Sequence, residues 1–129
     1  MPILNVKVSG DKDVQVTRKI TTLLLDTTTR ILKKKPEVTA ITIQYVPSDC
    51  WVIGGELLSE QSKSSFYLDI KVTDETNTKD EKADYIREVF EGFKGILGDL
   101  HDESYIYVED VRAAAYGYGG RTQEFRYHQ

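Results

Sequence analysis

The chain has 129 residues and a mass of 14.7 kDa, with 40% hydrophobic and 29% charged side chains, the balance of one globular domain that can bury a core without staples. With 17 basic against 21 acidic side chains, the net charge of -4 and a pI near 5.2 argue against nucleic acid or an anionic membrane as partner. One cysteine excludes an intrachain disulfide, and one cysteine with two histidines is too few for a Cys/His zinc site.

No apolar run reaches the roughly 18 residues of a membrane span, and Met1 to Asn5 lacks the basic start and apolar centre of a secretory leader. The expected compartment is the cytosol. Ile3, Val6 and Val8, with Asn5 and Lys7 between them, predict a short strand that breaks at Ser9-Gly10-Asp11-Lys12-Asp13. From Val14 to Lys35 the apolar positions Val16, Ile20, Leu23, Leu24 and Ile31 recur at helical spacing despite the weak helix formers Thr21-Thr22 and Thr27-Thr28-Thr29. Pro36 stops that helix, and Val38 to Val46 alternates as a second, partly buried strand through Ile41, Ile43 and Tyr45. Pro47-Ser48-Asp49, the extended Cys50 to Ile53 and Gly54-Gly55 read as a turn, a short strand and another turn. The polar residues 59–65 read as a linker.

The pattern then starts again. Phe66 to Val72 is a predicted strand and Thr73 to Thr78 a polar loop. Lys79 to about Leu100 is a predicted helix whose apolar face carries Tyr85, Ile86, Val89, Phe90, Phe93, Ile96 and Leu97, with Asp80 and Glu81 in its first turn as the helix dipole favours. Tyr105 to Val111 is a last long strand, followed by Tyr116-Gly117-Tyr118-Gly119-Gly120 and a tail over 121–129. Aligning the halves superposes Asn5-Val6-Lys7-Val8 on Asp69-Ile70-Lys71-Val72, Ile41-Thr42-Ile43 on Ile106-Tyr107-Val108, and Trp51 with Gly54-Gly55 on Tyr116 with Gly119-Gly120. The chain is thus a duplication of a unit of about 60 residues, residues 2–58 and 66–120, in which one β-α-β copy alone is too small for a good core. The expected class is α+β: one domain with a four-stranded sheet and two helices on one face. The other sheet face is expected to be uncovered and rich in Val, Ile and Tyr.

Pro2-Ile3 at the head of the first strand, Gly10 at its end and Trp51-Val52-Ile53-Gly54-Gly55-Glu56-Leu57 resemble the tautomerase superfamily, in its fused form built from two 4-oxalocrotonate tautomerase-like units. The resemblance implies an isomerase of small 2-oxo/enol acids that needs no metal or organic cofactor and assembles as a homotrimer. It also implies a catalytic base at Pro2. Once methionine is removed, an N-terminal proline offers a secondary amine on a rigid ring, and an apolar pocket disfavours its protonated form. Such an amine can move a proton between carbon and oxygen next to a carbonyl, provided cations or donors hold the enolate oxygen and the carboxylate. Phe66, which matches Pro2 in the second half, lies inside the chain, so one such amine per chain is the maximum.

The family's two arginines fall on Asp11-Lys12 and on Ala40, leaving Lys12 as a candidate cation and predicting a preference for monocarboxylates such as phenylenolpyruvate over dicarboxylates such as 2-hydroxymuconate. Tyr105 and Tyr107 are candidate donors to a substrate oxygen or else packed aromatics, and Arg112 is a candidate replacement cation or else a surface arginine. Trp51 is the expected pocket wall, and Tyr116 is expected in interface packing. Lys33-Lys34-Lys35 reads as a solvated cluster suiting the helix dipole, Cys50 as a small, partly buried residue, and His101 and His128 as solvated. Two alternatives remain open: a cofactor-free dehalogenase, hydratase or decarboxylase of the same superfamily, and a non-catalytic trimeric binding protein.

Overall fold

Strict alternation shapes the first strand, β1 (Ile3–Ser9), where Leu4, Val6 and Val8 are buried while Ile3, Asn5 and Lys7 are exposed. The computed structural model describes residues 2–127, so Met1 and His128 lie outside it. Helix α1 (Val14–Arg30) begins where the Asp13 carboxylate accepts the backbone N–H groups of Gln15 and Val16, at 2.8 and 3.2 Å. Its threonines are accommodated because the hydroxyls of Thr17, Thr21, Thr22 and Thr27 donate back to the carbonyl one turn earlier. The helix ends at Arg30 rather than Lys35, because Lys33 turns into the left-handed region (φ 62°) and the Lys34 N–H reaches the Thr28 carbonyl.

A single turn at Pro36–Val38 leads into β2 (Ala40–Val46). The short hairpin β3 (Val52–Ile53) and β4 (Glu56–Leu57) closes through Gly54 and Gly55, both at positive φ (64° and 83°) as its tight turn requires. Part of the stretch read as a linker forms the short helix α2 (Leu58–Gln61), held by Leu58, which is fully buried. The second half repeats the plan with β5 (Phe66–Thr73), α3 (Lys79–Leu97) and β6 (Tyr105–Val111). Thr78 and Glu81 cap α3 reciprocally, and Gly98 at φ 86° ends it short of Leu100. The hairpin β7 (Gly117–Tyr118) and β8 (Arg121–Thr122) and helix α4 (Gln123–Tyr127) follow.

The fold is α+β, and the four long strands form one sheet in the order β2-β1-β5-β6. β1 pairs β2 in parallel (Val6 opposite Ile43), and β5 pairs β6 in parallel (Ile70 opposite Val108). The central pair β1/β5 is antiparallel, with Asn5 opposite Asp69. Both helices pack on one face over Leu4, Val6, Val8, Phe66, Leu68, Ile70 and Val72, contributing Ile20, Leu24, Tyr85, Val89 and Phe93. Phe93 stacks on Phe66 at 3.8 Å, and the Tyr85 and Thr28 hydroxyls hydrogen-bond at 2.9 Å, joining the helices. Gly92 lets them approach, since a Cβ there would overlap the Leu23 methyl groups. Ile86, expected on the apolar face of α3, is 40% exposed.

The uncovered sheet face differs from expectation. Strand pleating turns the valines and most isoleucines toward the helices and leaves Asn5, Lys7, Tyr67, Asp69, Lys71, Tyr105, Tyr107 and Glu109 outside, with Ile3. Lys71 bridges this face, 3.0 Å from Asp69 and 3.5 Å from Glu109.

Candidate functional site

The strand directions decide what surrounds Pro2. Because β6 runs parallel to β5 and β5 antiparallel to β1, the chain leaving β6 arrives at the start of β1. The second-half hairpin therefore stands over Pro2, and the first-half hairpin stands at the opposite end, near Phe66 and Tyr67. Pro2 is buried, and its carbonyl accepts the Ala40 N–H at 3.0 Å. It lines a mainly apolar cavity of about 630 Å³ with Ile3, Val38 and Ala40 on one side and Tyr116, Gly117 and Tyr118 on the other. Lys71 is the cation in this lining and Glu37 the acid. The Asp69 carboxylate, by accepting a hydrogen bond from Lys71, raises the lysine pKa and keeps it charged. Tyr116 is half-buried, and its hydroxyl meets that of Thr73; burial pushes the phenol up and the Thr73 hydrogen bond opposes this. Gly117 is required where it stands, since a Cβ would overlap the Arg121 carbonyl across the hairpin.

The sequence-predicted residues do not all gather here. Ala40 does line the cavity, so the position matched to a family arginine faces Pro2 without a charge. Trp51 lines a separate cavity of about 760 Å³ at the other end of the sheet, with Tyr67, His101, Glu103 and Tyr105. Within one protomer it is not the wall beside Pro2; Tyr116, expected in interface packing, is. Tyr105 donates to the Glu103 carboxylate at 2.7 Å, a bond that raises the phenol pKa. Tyr107 lies on the uncovered face with its ring 5.9 Å from Tyr67. Lys12 is exposed beyond the far end of β1, and Arg112 is exposed in the turn after β6, outside the cavity lining.

Three further readings are corrected. Cys50 is exposed because the Ser48–Cys50 turn carries it outward. His101 is half-buried, its Nδ1 accepting the Glu103 N–H at 3.0 Å. Lys34 leaves the solvated cluster: it is half-buried and donates to the Thr76 hydroxyl at 2.9 Å. Sequence reasoning missed Lys71, although the internal alignment already superposes it on Lys7.

Fold and cavity together define a two-unit β-α-β protein with an apolar pocket at the N-terminal strand. No protein-family model matches the chain. The sequence is 33% identical over 70 residues to a probable tautomerase, K2, of Dickeya dadantii (strain 3937), a match covering 50% of this chain and 98% of that protein. A fused 4-OT whose solved structure is an asymmetric trimer superposes with a TM-score of 0.82 at 17% identity, over 96% of this chain and 98% of the other. A protein crystallised after inactivation by 2-oxo-3-pentynoate superposes with a TM-score of 0.82 at 10% identity, over 95% and 98% of the two chains. The chain belongs to the tautomerase family.

Among the described residues, no helix is long and apolar enough to cross a membrane, and no group of His, Cys, Asp or Glu is placed to hold a metal ion.

Proposed function

We propose that this chain is a cofactor-independent tautomerase in which the Pro2 amine, freed by removal of Met1, shuttles a proton on a small 2-oxo/enol acid. The observation that carries this reading is the burial of Pro2 in an apolar cavity that also contains one ammonium, Lys71. The apolar wall and the nearby positive charge both disfavour protonation of a terminal amine, leaving more of it as free base near neutral pH. In the enol-to-keto direction, the neutral Pro2 amine takes the enol proton and the ammonium so formed delivers it to the neighbouring carbon as the C=C bond gives way to C=O, which regenerates the free amine; the reverse reaction runs the same steps backwards. Lys71 holds the substrate carboxylate, and the Tyr116 phenol lies alongside as a donor to the enolate oxygen. Inactivation of a structural neighbour by a 2-oxo acid is consistent with this substrate class.

The assembly proposed is a homotrimer. Two edge strands, β2 and β6, and a polar, tyrosine-bearing sheet face are open in the single chain, and the neighbouring fused 4-OT is a trimer. Light scattering reporting a 14.7 kDa particle at micromolar concentration would exclude the trimer. The catalytic test starts with intact mass to establish that Met1 is gone. Pro2→Ala, which keeps an amine and loses the ring, should then cut turnover of phenylenolpyruvate by about 10²-fold, the range of a positioned acid/base. Activity should fall as pH drops through the amine pKa, because the base form is lost. A fully processed Pro2→Ala as fast as the parent refutes the mechanism.

A further inference from the structure

The cavity of about 760 Å³ at the far end of the sheet is the internal counterpart of the Pro2 cavity, and the proposed function does not use it. Tyr67 faces Tyr105 across β5 and β6 in the same register that sets Ile3 opposite Ala40 across β1 and β2. The β3–β4 hairpin brings Trp51 here, as the β7–β8 hairpin brings Tyr116 to Pro2. The counterpart of Pro2 is Phe66, fully buried and without a free amine, so proline chemistry has no place in this copy. The lining has become aromatic instead: Trp51, Tyr67 and Tyr105 stand where the Pro2 cavity has Tyr116, Ile3 and Ala40.

Its formal charge is of one sign. Glu56, from β4, and Glu103, from the turn before β6, are the acids of the lining, which holds no lysine or arginine. Neither carboxylate takes part in a salt bridge among the described residues. The Tyr105 hydroxyl donates to Glu103 at 2.7 Å, which keeps that carboxylate beside the ring. Gln61 Nε2 donates to the Ile53 and Glu56 carbonyls, both at 3.0 Å, and so braces the hairpin that carries Glu56. An imidazole that accepts at Nδ1, as His101 does from the Glu103 N–H, is uncharged and adds no opposing charge. Lys7, opposite Tyr67 in the sheet, lies outside the lining, and its ammonium is 5.9 Å from the Tyr67 ring centroid, within the range at which a ring attracts a cation.

Ring faces are negative and attract cations, most effectively those that shed water readily. A methylated ammonium does so, and its methyl groups also bury against the rings, whereas Glu56 and Glu103 repel an anion and gain nothing from a neutral ligand. We infer that this cavity is a binding site for a small methylated ammonium compound, its cationic head among Trp51, Tyr67 and Tyr105 and its charge balanced by Glu56 and Glu103. The inference is independent of the Pro2 mechanism, since the two cavities share no lining residue.

Trp51 is the single tryptophan of the chain, so its emission reports on this cavity. The assembled protein, excited where tyrosine does not absorb, is titrated with choline and with 3,3-dimethylbutan-1-ol, the uncharged carbon isostere, and calorimetry measures the same affinities. Choline should shift the Trp51 emission and bind at least about tenfold more tightly than the alcohol. Glu56→Gln with Glu103→Gln, both at exposed positions, should lower choline affinity by about five- to tenfold and leave the alcohol within about twofold of the parent. Tyr105→Leu, at a position 53% exposed on an edge strand, should lower choline affinity by about fivefold. If light scattering shows that Tyr105→Leu alters the assembly, the glutamine pair decides. Absence of choline binding by both measurements, equal affinity for the alcohol, or 3,3-dimethylbutanoate shifting Trp51 at concentrations as low as choline does would overturn the inference. So would a folded glutamine pair that binds choline as tightly as the parent.

Discussion

Lys71→Met removes the one ammonium from the Pro2 cavity while keeping an unbranched side chain of similar length. If Lys71 holds the substrate carboxylate, the lost charge-assisted hydrogen bond is worth about 1.5–3 kcal/mol, or roughly 10- to 150-fold in kcat/KM. The structural cost is smaller. Lys71 is 42% exposed and pairs with Asp69 at 18% and Glu109 at 57% exposure, so solvent screens both bridges. Their loss should cost about 1 kcal/mol, a fall of about 4 °C in Tm for a domain this size. Because the Asp69 hydrogen bond raises the Lys71 pKa, the residue stays charged at neutral pH and its contribution fades only in strongly alkaline solution. The acid limb of the rate profile thus belongs to Pro2 and should persist in the variant. Ketonisation of phenylenolpyruvate followed by ultraviolet absorbance separates two roles. A loss confined to KM identifies a carboxylate contact made equally in ground and transition states, and a loss in kcat identifies an enolate contact. A folded variant with kcat/KM within about threefold of the parent would refute the assignment of Lys71.

Phe93→Ala deletes a fully buried ring stacked on Phe66 and should cost about 3–5 kcal/mol, measured by chemical denaturation. Gly117→Ala forces the β7–β8 hairpin off the Arg121 carbonyl at an overpacking cost of about 1–3 kcal/mol, and should lower activity more than Tm because that hairpin walls the Pro2 cavity. Burial raises the Tyr85 pKa to about 12, so the folded state holds its proton where the unfolded state has released it. Stability should therefore fall by up to about 3 kcal/mol as pH rises from roughly 10 to 12, and Tyr85→Phe should remove that part of the slope.

Much of the architecture was legible in one dimension because it rests on local interactions. Alternation through Leu4, Val6 and Val8, the Asp13 cap, the Thr78–Glu81 capping box and the glycine pairs act over a few residues, so strands, helices and hairpins can be read where they stand. The repeat, which superposes Lys7 on Lys71 and Trp51 on Tyr116, is likewise a property of the sequence, as is the position of Pro2 at the head of β1. What the repeat does not encode is the direction in which its copies pair. The antiparallel β1/β5 contact joins residues far apart in the chain, such as Leu4 and Ile70, and is chosen by burial of both strands beneath two helices rather than by any local preference. That pairing carries each hairpin to the other copy's first strand, putting Tyr116 and Lys71 beside Pro2 and taking Trp51 and Tyr105 to the far end. The same long-range packing brings Arg126 against Tyr118 and into one cavity with Lys34, two cations separated by most of the chain, which only the tertiary fold makes neighbours.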